Sequence, residues 1–322
     1  MAQNTASDAT ALFAIPLDRN GLPGPATNIV TFLPNTYALR RDAGALALSV
    51  STVGGRARLA VWEAATGTSR WLLPDDPDTS EFSPVWSFDG SSVYYVAVND
   101  DPAKGGLFLV RADGTNKRRL GAPDRLGGPL ALTPDGQGIV WSRGQAGGSV
   151  DIFDIATGTD RHLEDNATAL AWRAKQPRLL LQSGGCCAGR PGGALELWDD
   201  VALTSRALSA PGGPGFIGAA WDPSGTRLVA VQVDNTPPYE RSLVNVDPGS
   251  GALSGIDGTR TASGPMWLSQ GIVFSRLAIA ANAPPTAGRG ATEIALLPAS
   301  GGPPRSIYKP ETFLSLVIVV DP

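Results

Sequence analysis

"PVWSFDGSSVYYV", Pro84 to Val96, is the stretch on which the fold turns, because its pattern recurs. "LALTPDGQGIVWS" stands at Leu130 to Ser142 and "AAWDPSGTRLVAV" at Ala219 to Val231. In the first copy, "FSPVW" alternates apolar and polar residues as a half-buried strand does. "SFDG" supplies a turn, in which Asp89 bonds back to the local backbone and Gly90 takes positive φ without steric cost. "SSVYYVAV", rich in β-branched and aromatic residues, is a second strand.

Outward from that hairpin, "LFLVRADGT" reads as a third strand ending in another Asp-Gly turn, and "NKRRL" as a short fourth. One such sheet of about 40 residues cannot bury both of its faces, so it needs neighbours of its own kind. They are present. The first turn recurs as "RRDAG" at 40–44, "WSFDG" at 86–90, "LTPDG" at 132–136, "WRAKQP" at 172–177, "WDPSG" at 221–225, "WLSQG" at 267–271 and, truncated, "VVDP" at 319–322. The third-strand turn recurs in phase with it, from "PLDRNG" at 16–21 to "LPASGG" at 297–302. Both counts predict an all-β, seven-bladed β-propeller in a single domain over 1–322, with a six-bladed ring as the alternative. The expected blades are 36–73, 82–120, 127–163, 168–208, 216–256 and 263–308. A composite blade from 11–33 plus 312–322 would pair the N- and C-terminal strands and close the ring. Its second strand has no obvious donor: the blade has three strands, or residues 1–10 fill the gap, or the chain is a fragment.

Trp86, Trp172, Trp221 and Trp267 all fall just before the first turn, where wide side chains pack between neighbouring blades. Hydrophobic residues make up 42% and charged residues 17%, too few charges for disorder or a coiled coil. With a net charge of −4 and no basic run beyond Lys117-Arg118-Arg119, no nucleic-acid partner is expected. The apolar run Leu316 to Val320 is too short to span a bilayer, so no membrane insertion is expected. No intact signal peptide is visible, and a chain processed after export would look the same. Cys186 and Cys187 are adjacent: either two thiols in a Gly-rich loop or a strained vicinal disulfide.

The pattern "PVWSFDGSSVYYVAV…GLFLVRADGTNKRRL" resembles the TolB-like, or PD40, propeller repeat, a WD40-like repeat. That repeat runs as proline, tryptophan, Ser-Pro-Asp-Gly, a strand, then a strand ending in Asp-Gly and an arginine-leucine. The match is good at 82–120, fair at 127–163 and 216–256, and loose elsewhere. Blade 36–73 lacks the tryptophan, and blade 168–208 lacks the Asp-Gly turn. The resemblance implies a bacterial protein, often periplasmic or joined to other domains, whose propeller binds proteins. It transfers no catalytic residue.

Function is expected on loops held by the rigid ring. The connections from second to third strands, and from blade to blade, are long and varied, and both project from one face. The candidate binding residues there are Asp75, Asp76, Asp78, Glu81, Asp100, Asp101, Arg190, Tyr239, Glu240, Arg241 and Arg289. The acidic run at 75–81 could hold calcium but lacks EF-hand spacing, so a solvated loop is preferred. His162, the chain's one histidine, sits in the fourth strand "RHLED", read as far from the long second-to-third-strand loops. No G-x-S-x-G elbow, P-loop or dinucleotide fingerprint accompanies it. The expectation is therefore a non-catalytic scaffold without a cofactor or bound metal. Its partner is another protein, or a small or glycan ligand, on the long-loop face. The alternatives are a carbohydrate-active or hydrolytic propeller with channel carboxylates, or the accessory propeller of a larger peptidase or sensor.

Overall fold

A computed structural model describes residues 12–25, 27–30, 34–52, 55–121, 130–143, 148–173, 176–184, 192–209, 213–234, 240–277, 292–309 and 318–320. Six four-stranded antiparallel sheets follow one another along the chain. Blade 1 runs from the strand Pro34–Leu39 to the strand Thr68–Trp71, and blade 2 from Thr79–Trp86 to Arg118–Gly121. Blade 3 runs from Ala131–Leu132 to Asp160–Glu164, and blade 4 from Ala167–Trp172 to Thr204–Ala207. Blade 5 runs from Gly215–Trp221 to Leu253–Gly255, and blade 6 from Ser263–Leu268 to Arg305–Tyr308.

The expectation of seven blades is thereby corrected to six. The terminal segments form a three-stranded sheet in the order Thr27–Val30, Leu12–Pro16, Ile318–Val320. Among the described residues no second strand stands in this sheet. With nothing to lie between them, Ile318–Val320 bonds directly to Leu12–Pro16, and the two run parallel, Ala14 opposite Ile318 and Pro16 opposite Val320. In a four-strand meander the first and third strands also run parallel, so the tail keeps the direction of a first strand. The sheet sits between the last and first blades. Leu17 is buried among Val273, Ile294, Leu296 and Ile307 of blade 6, and Ile29 among Leu46, Leu48 and Trp62 of blade 1.

Second and third strands are apolar on both sides because both sides are covered. In blade 1, Ala45 and Ala47 face blade 2 while Leu46 and Leu48 face the terminal sheet. The core is thus a series of seams, and two contacts recur along several of them, one near the first turn and one at the outer edge. Near the first turn, the Trp86 Nε1 donates to Ala38 O of the preceding blade at 3.1 Å, and the Trp267 Nε1 to Ala220 O at 3.0 Å. A guanidinium from the preceding blade covers the ring: Arg40 over Trp86 at 5.5 Å, Arg173 over Trp221 at 5.1 Å and Arg227 over Trp267 at 4.5 Å. Gly90 is required there. Its φ is 68°, and a Cβ would meet the stem of Arg40 at 2.7 Å.

The outer seal explains the arginine-leucine of the repeat. Arg70, Arg118, Arg161, Arg206 and Arg305 occupy one register, opposite Val61, Leu109, Ile152, Leu197 and Leu296. Four of the five reach the third-strand turn of the next sheet. Arg70 donates to Ala112 O, Arg161 to Asp200 Oδ1 at 2.5 Å, and Arg206 to Gly249 O at 2.7 Å and to Pro248 O. Arg305 donates to Asn20 O and so ties blade 6 to the terminal sheet. Two residues on, Leu72, Leu163, Leu208 and Ile307 are buried in the seam.

Two outcomes follow for stability. Trp86→Ala should cost about 3–5 kcal/mol in chemical denaturation, the range for emptying a buried aromatic site. In the first turn of blade 5, Asp222 is only 4% exposed. Burial opposes its ionisation, but the Arg227 N–H, the Ser224 hydroxyl, the Thr226 N–H and the Arg227 guanidinium outweigh that and hold it down to about 2. A depressed carboxyl stabilises the fold above its unfolded value, near 4, and loses that contribution as pH falls toward 2. Asp222→Asn should therefore flatten the stability–pH curve between about 4 and 2, removing a contribution of about 2 kcal/mol.

Candidate functional site

The two classes of long connection do meet on one face. The loop after the second strand of blade 1 brings Arg56 to Asp100 in the matching loop of blade 2, at 2.7 Å. Asp100 N donates to Asp78 O in the blade 1–blade 2 connection at 3.1 Å. Asp76 accepts from Asp78 N at 3.0 Å and from Thr79 Oγ1 at 2.8 Å. The Thr79 hydroxyl, then the Asp78 N–H, hold the Asp76 carboxyl below the usual range. Thr79 Oγ1 in turn accepts from Asn99 Nδ2 at 2.6 Å. Asp75 lies 3.3 Å from Arg58, and Asp101 caps the short 3-10 helix Pro102–Lys104 by accepting from Ala103 N at 3.0 Å. The structure thus gathers Asp75, Asp76, Asp78, Asp100 and Asp101 on the long-loop face. It engages them with arginines, a threonine and backbone amides. Arg56, Arg58 and Thr79 are the members that sequence reasoning missed, and Asn99 directly precedes the candidates Asp100 and Asp101.

Glu81 is placed differently. It is 5% exposed and belongs to the first strand of blade 2, where its Oε2 accepts from Leu59 N of blade 1 at 2.8 Å. The same donor position is capped elsewhere by hydroxyls: Leu195 N by Ser209 Oγ at 3.0 Å, and Leu243 N by Thr259 Oγ1 at 3.0 Å. All three amides lie where the fourth strand diverges from the third. Glu81 is therefore a carboxyl doing a hydroxyl's job inside a seam. Burial pushes its pKa up, against the opposing pull of the Leu59 N–H.

A second polar group lies across blades 3 and 4. His162 Nδ1 is 3.3 Å from Asp151 Oδ1, and Ser149 Oγ donates to Asp151 Oδ2 at 2.9 Å. Register puts His162 opposite Asp151, the third residue of the strand Ser149–Asp154. Burial and then the Glu196 charge push the neighbouring Glu164 up, and Ser183 Oγ donates to Glu196. On blades 5 and 6, Glu240 pairs with Arg260, and the exposed Arg241 opens a third strand. Glu293 lies 2.6 Å from Arg276 and 3.5 Å from Lys309. Burial would raise the Glu293 carboxyl, but the Arg276 bond and charge hold it below its usual value. Arg190, Tyr239, Arg289, Cys186 and Cys187 lie outside the described residues. Among the described residues no three His, Cys, Asp or Glu side chains converge as a metal-ligand set. No described helix is long and apolar enough to cross a membrane.

No protein-family model and no curated protein matches the chain. Solved structures do. TolB from Acinetobacter baumannii matches with TM-score 0.53 at 15% identity, over 82% of this chain and 65% of that one. By fold, the chain is a β-propeller similar to that of TolB. The propeller is also similar to an oligogalacturonate lyase from Vibrio parahaemolyticus, with TM-score 0.66 at 13% identity over 87% and 79% of the two chains. A further oligogalacturonate lyase, in complex with manganese, gives 0.66 at 14% over 93% and 85%. The β-propeller domain of the Trilobed protease from Pyrococcus furiosus, which has an open velcro topology, gives 0.63 at 10% over 89% and 88%. At these identities the likeness is one of fold.

Glu81 yields a test of its structural role. A carboxyl whose folded pKa is raised favours the fold below its unfolded value and weakens it as pH rises through the folded one. Glu81→Gln keeps an acceptor for Leu59 N without the buried charge, so at pH 7 its thermal midpoint should equal or exceed that of the parent. Glu81→Ala, which leaves the amide unpaired, should lose about 1–3 kcal/mol. A fall in midpoint for the glutamine variant would count against this assignment.

Proposed function

We propose that the propeller is a non-catalytic recognition scaffold that takes a protein partner on its long-loop face. One observation carries the reading. Many of the ionisable side chains described there pair, Arg56 with Asp100 between blades, and Arg58 with Asp75, Arg260 with Glu240 and Arg276 with Glu293 among neighbours. Such a surface is charged, patterned and pre-organised, and the pairs set partner choice and association rate more than fold stability. Exposed Val98, 48% accessible, adds an apolar contact beside Asn99 and Asp100.

A second reading rests on Glu164, Glu196 and His162: a raised carboxyl beside a second acid and an imidazole is a proton-transfer set. The lyase neighbours supply the substrate to try, an oligogalacturonate.

The two are separated by one experiment. The wild type and two variants would be immobilised and tested for partner binding by surface plasmon resonance, and for turnover of oligogalacturonates in solution. Asp100→Lys on the long-loop face should weaken partner binding at least tenfold, mainly through slower association. Ala65→Lys, in a short turn on the other face, should leave it unchanged. Equal loss from both variants would remove the face assignment. Turnover abolished by Glu164→Gln would replace the scaffold with the enzyme.

A further inference from the structure

Blade 5 departs from the outer seal at both of its positions. Where the other blades have an apolar residue opposite an arginine, blade 5 has Asn245 opposite Ser254. Val61, Ile152, Leu197 and Leu296 are buried at this place, whereas Asn245 is exposed. The inner seal of the same seam is intact, with Arg227 over Trp267 and the indole bonded to Ala220 O. The result is a cavity of about 160 Å³ between blades 5 and 6, lined by Arg227, Asn245, Ile256, Trp267, Ala299 and Gly301 among others.

We propose that this notch binds an arginine side chain presented by a partner protein. The molecule itself specifies the ligand. At the neighbouring seam, Arg206 sends two bonds to adjacent turn carbonyls, Pro248 O and Gly249 O. Ala299 occupies the turn position of Ala112, the acceptor for Arg70: Ala112 N donates to Ser91 O, and Ala299 N to Gln270 O. The carbonyls that hold an internal guanidinium elsewhere are thus present here without the internal arginine. A planar fork reaches two adjacent carbonyls, which an ammonium does not match. A second cation in the seam is tolerated. The seam between blades 4 and 5 already holds Arg173 over Trp221 together with Arg206. In the notch, moreover, the charge of Arg227 is met by Asp222 at 3.4 Å. Opening onto the short-turn side, the site stands apart from the long-loop face and does not depend on it.

The test titrates the full chain with N-acetyl-arginine methylamide and, in parallel, with its citrulline analogue, followed by backbone amide NMR shifts. The arginine ligand should saturate shifts at Asn245, Ile256 and Gly301, and citrulline should bind about tenfold or more weakly, the worth of one charge-assisted bond. Ser254→Arg supplies the missing side chain internally. It should weaken arginine binding about tenfold or more and raise the thermal midpoint. Asn245→Leu, which restores the apolar neighbour, should weaken binding without adding charge. Equal binding of arginine and citrulline, saturable shifts elsewhere, no saturation, or unchanged binding in both variants would overturn the proposal.

Discussion

The seam between neighbouring sheets is the constraint on which everything else rests. A four-stranded sheet with apolar residues on both faces has no stable life alone; each face must find another sheet. The largest fully buried side chains, Trp141, Tyr95, Phe216 and Phe274, sit in the blades' second strands and at the start of a first strand, inside these contacts. Each buried aromatic is worth several kcal/mol, against less than 1 for an exposed ion pair. The seams therefore hold the ring, and the ion pairs of the long-loop face shape a surface.

Closure is the same constraint applied to the chain ends. Without the terminal sheet, blades 1 and 6 would each present an apolar face to water. Three strands suffice because Leu17 and Ile29 supply one buried contact on each side. Arg305 then makes to Asn20 the bond that Arg206 makes to the turn of blade 5. The last seam uses the chemistry of the internal ones although the chain does not run through it.

Legibility in the sequence followed repetition. The tryptophans, the Asp-Gly turns and the arginine-leucine are visible because they recur, and each has a seam role. The blade number was overcounted by one for the same reason: "PLDRNG" at 16–21 and "VVDP" at 319–322 each carry one motif of a blade, but no described stretch supplies the strand between them. Features that do not repeat were hidden. Glu81 looks like one more acid in a polar loop until the first strand is seen to start at Thr79. The bulge between Phe82 and Val85, with Ser83 at φ 50°, has no glycine to announce it. His162 was placed by its strand alone, whereas its position in space follows from the register that sets it against Asp151.

The two faces of the ring consequently carry different kinds of information. On the short-turn face the repeat defines what every position is for, so a departure from it has meaning without any comparison to another protein. Blade 5 keeps Trp267 and Arg227 and gives up both the buried apolar residue and the clasping arginine. A change of one alone would leave either an unsupported guanidinium or a greasy groove. The paired change leaves a notch in which Arg227 and Asn245 stand among apolar side chains, beside an inner seal that stays shut. On the long-loop face no such rule exists, because each loop has its own length and composition. Chemistry there can be read only from which side chains meet, and those described meet mainly each other and the backbone.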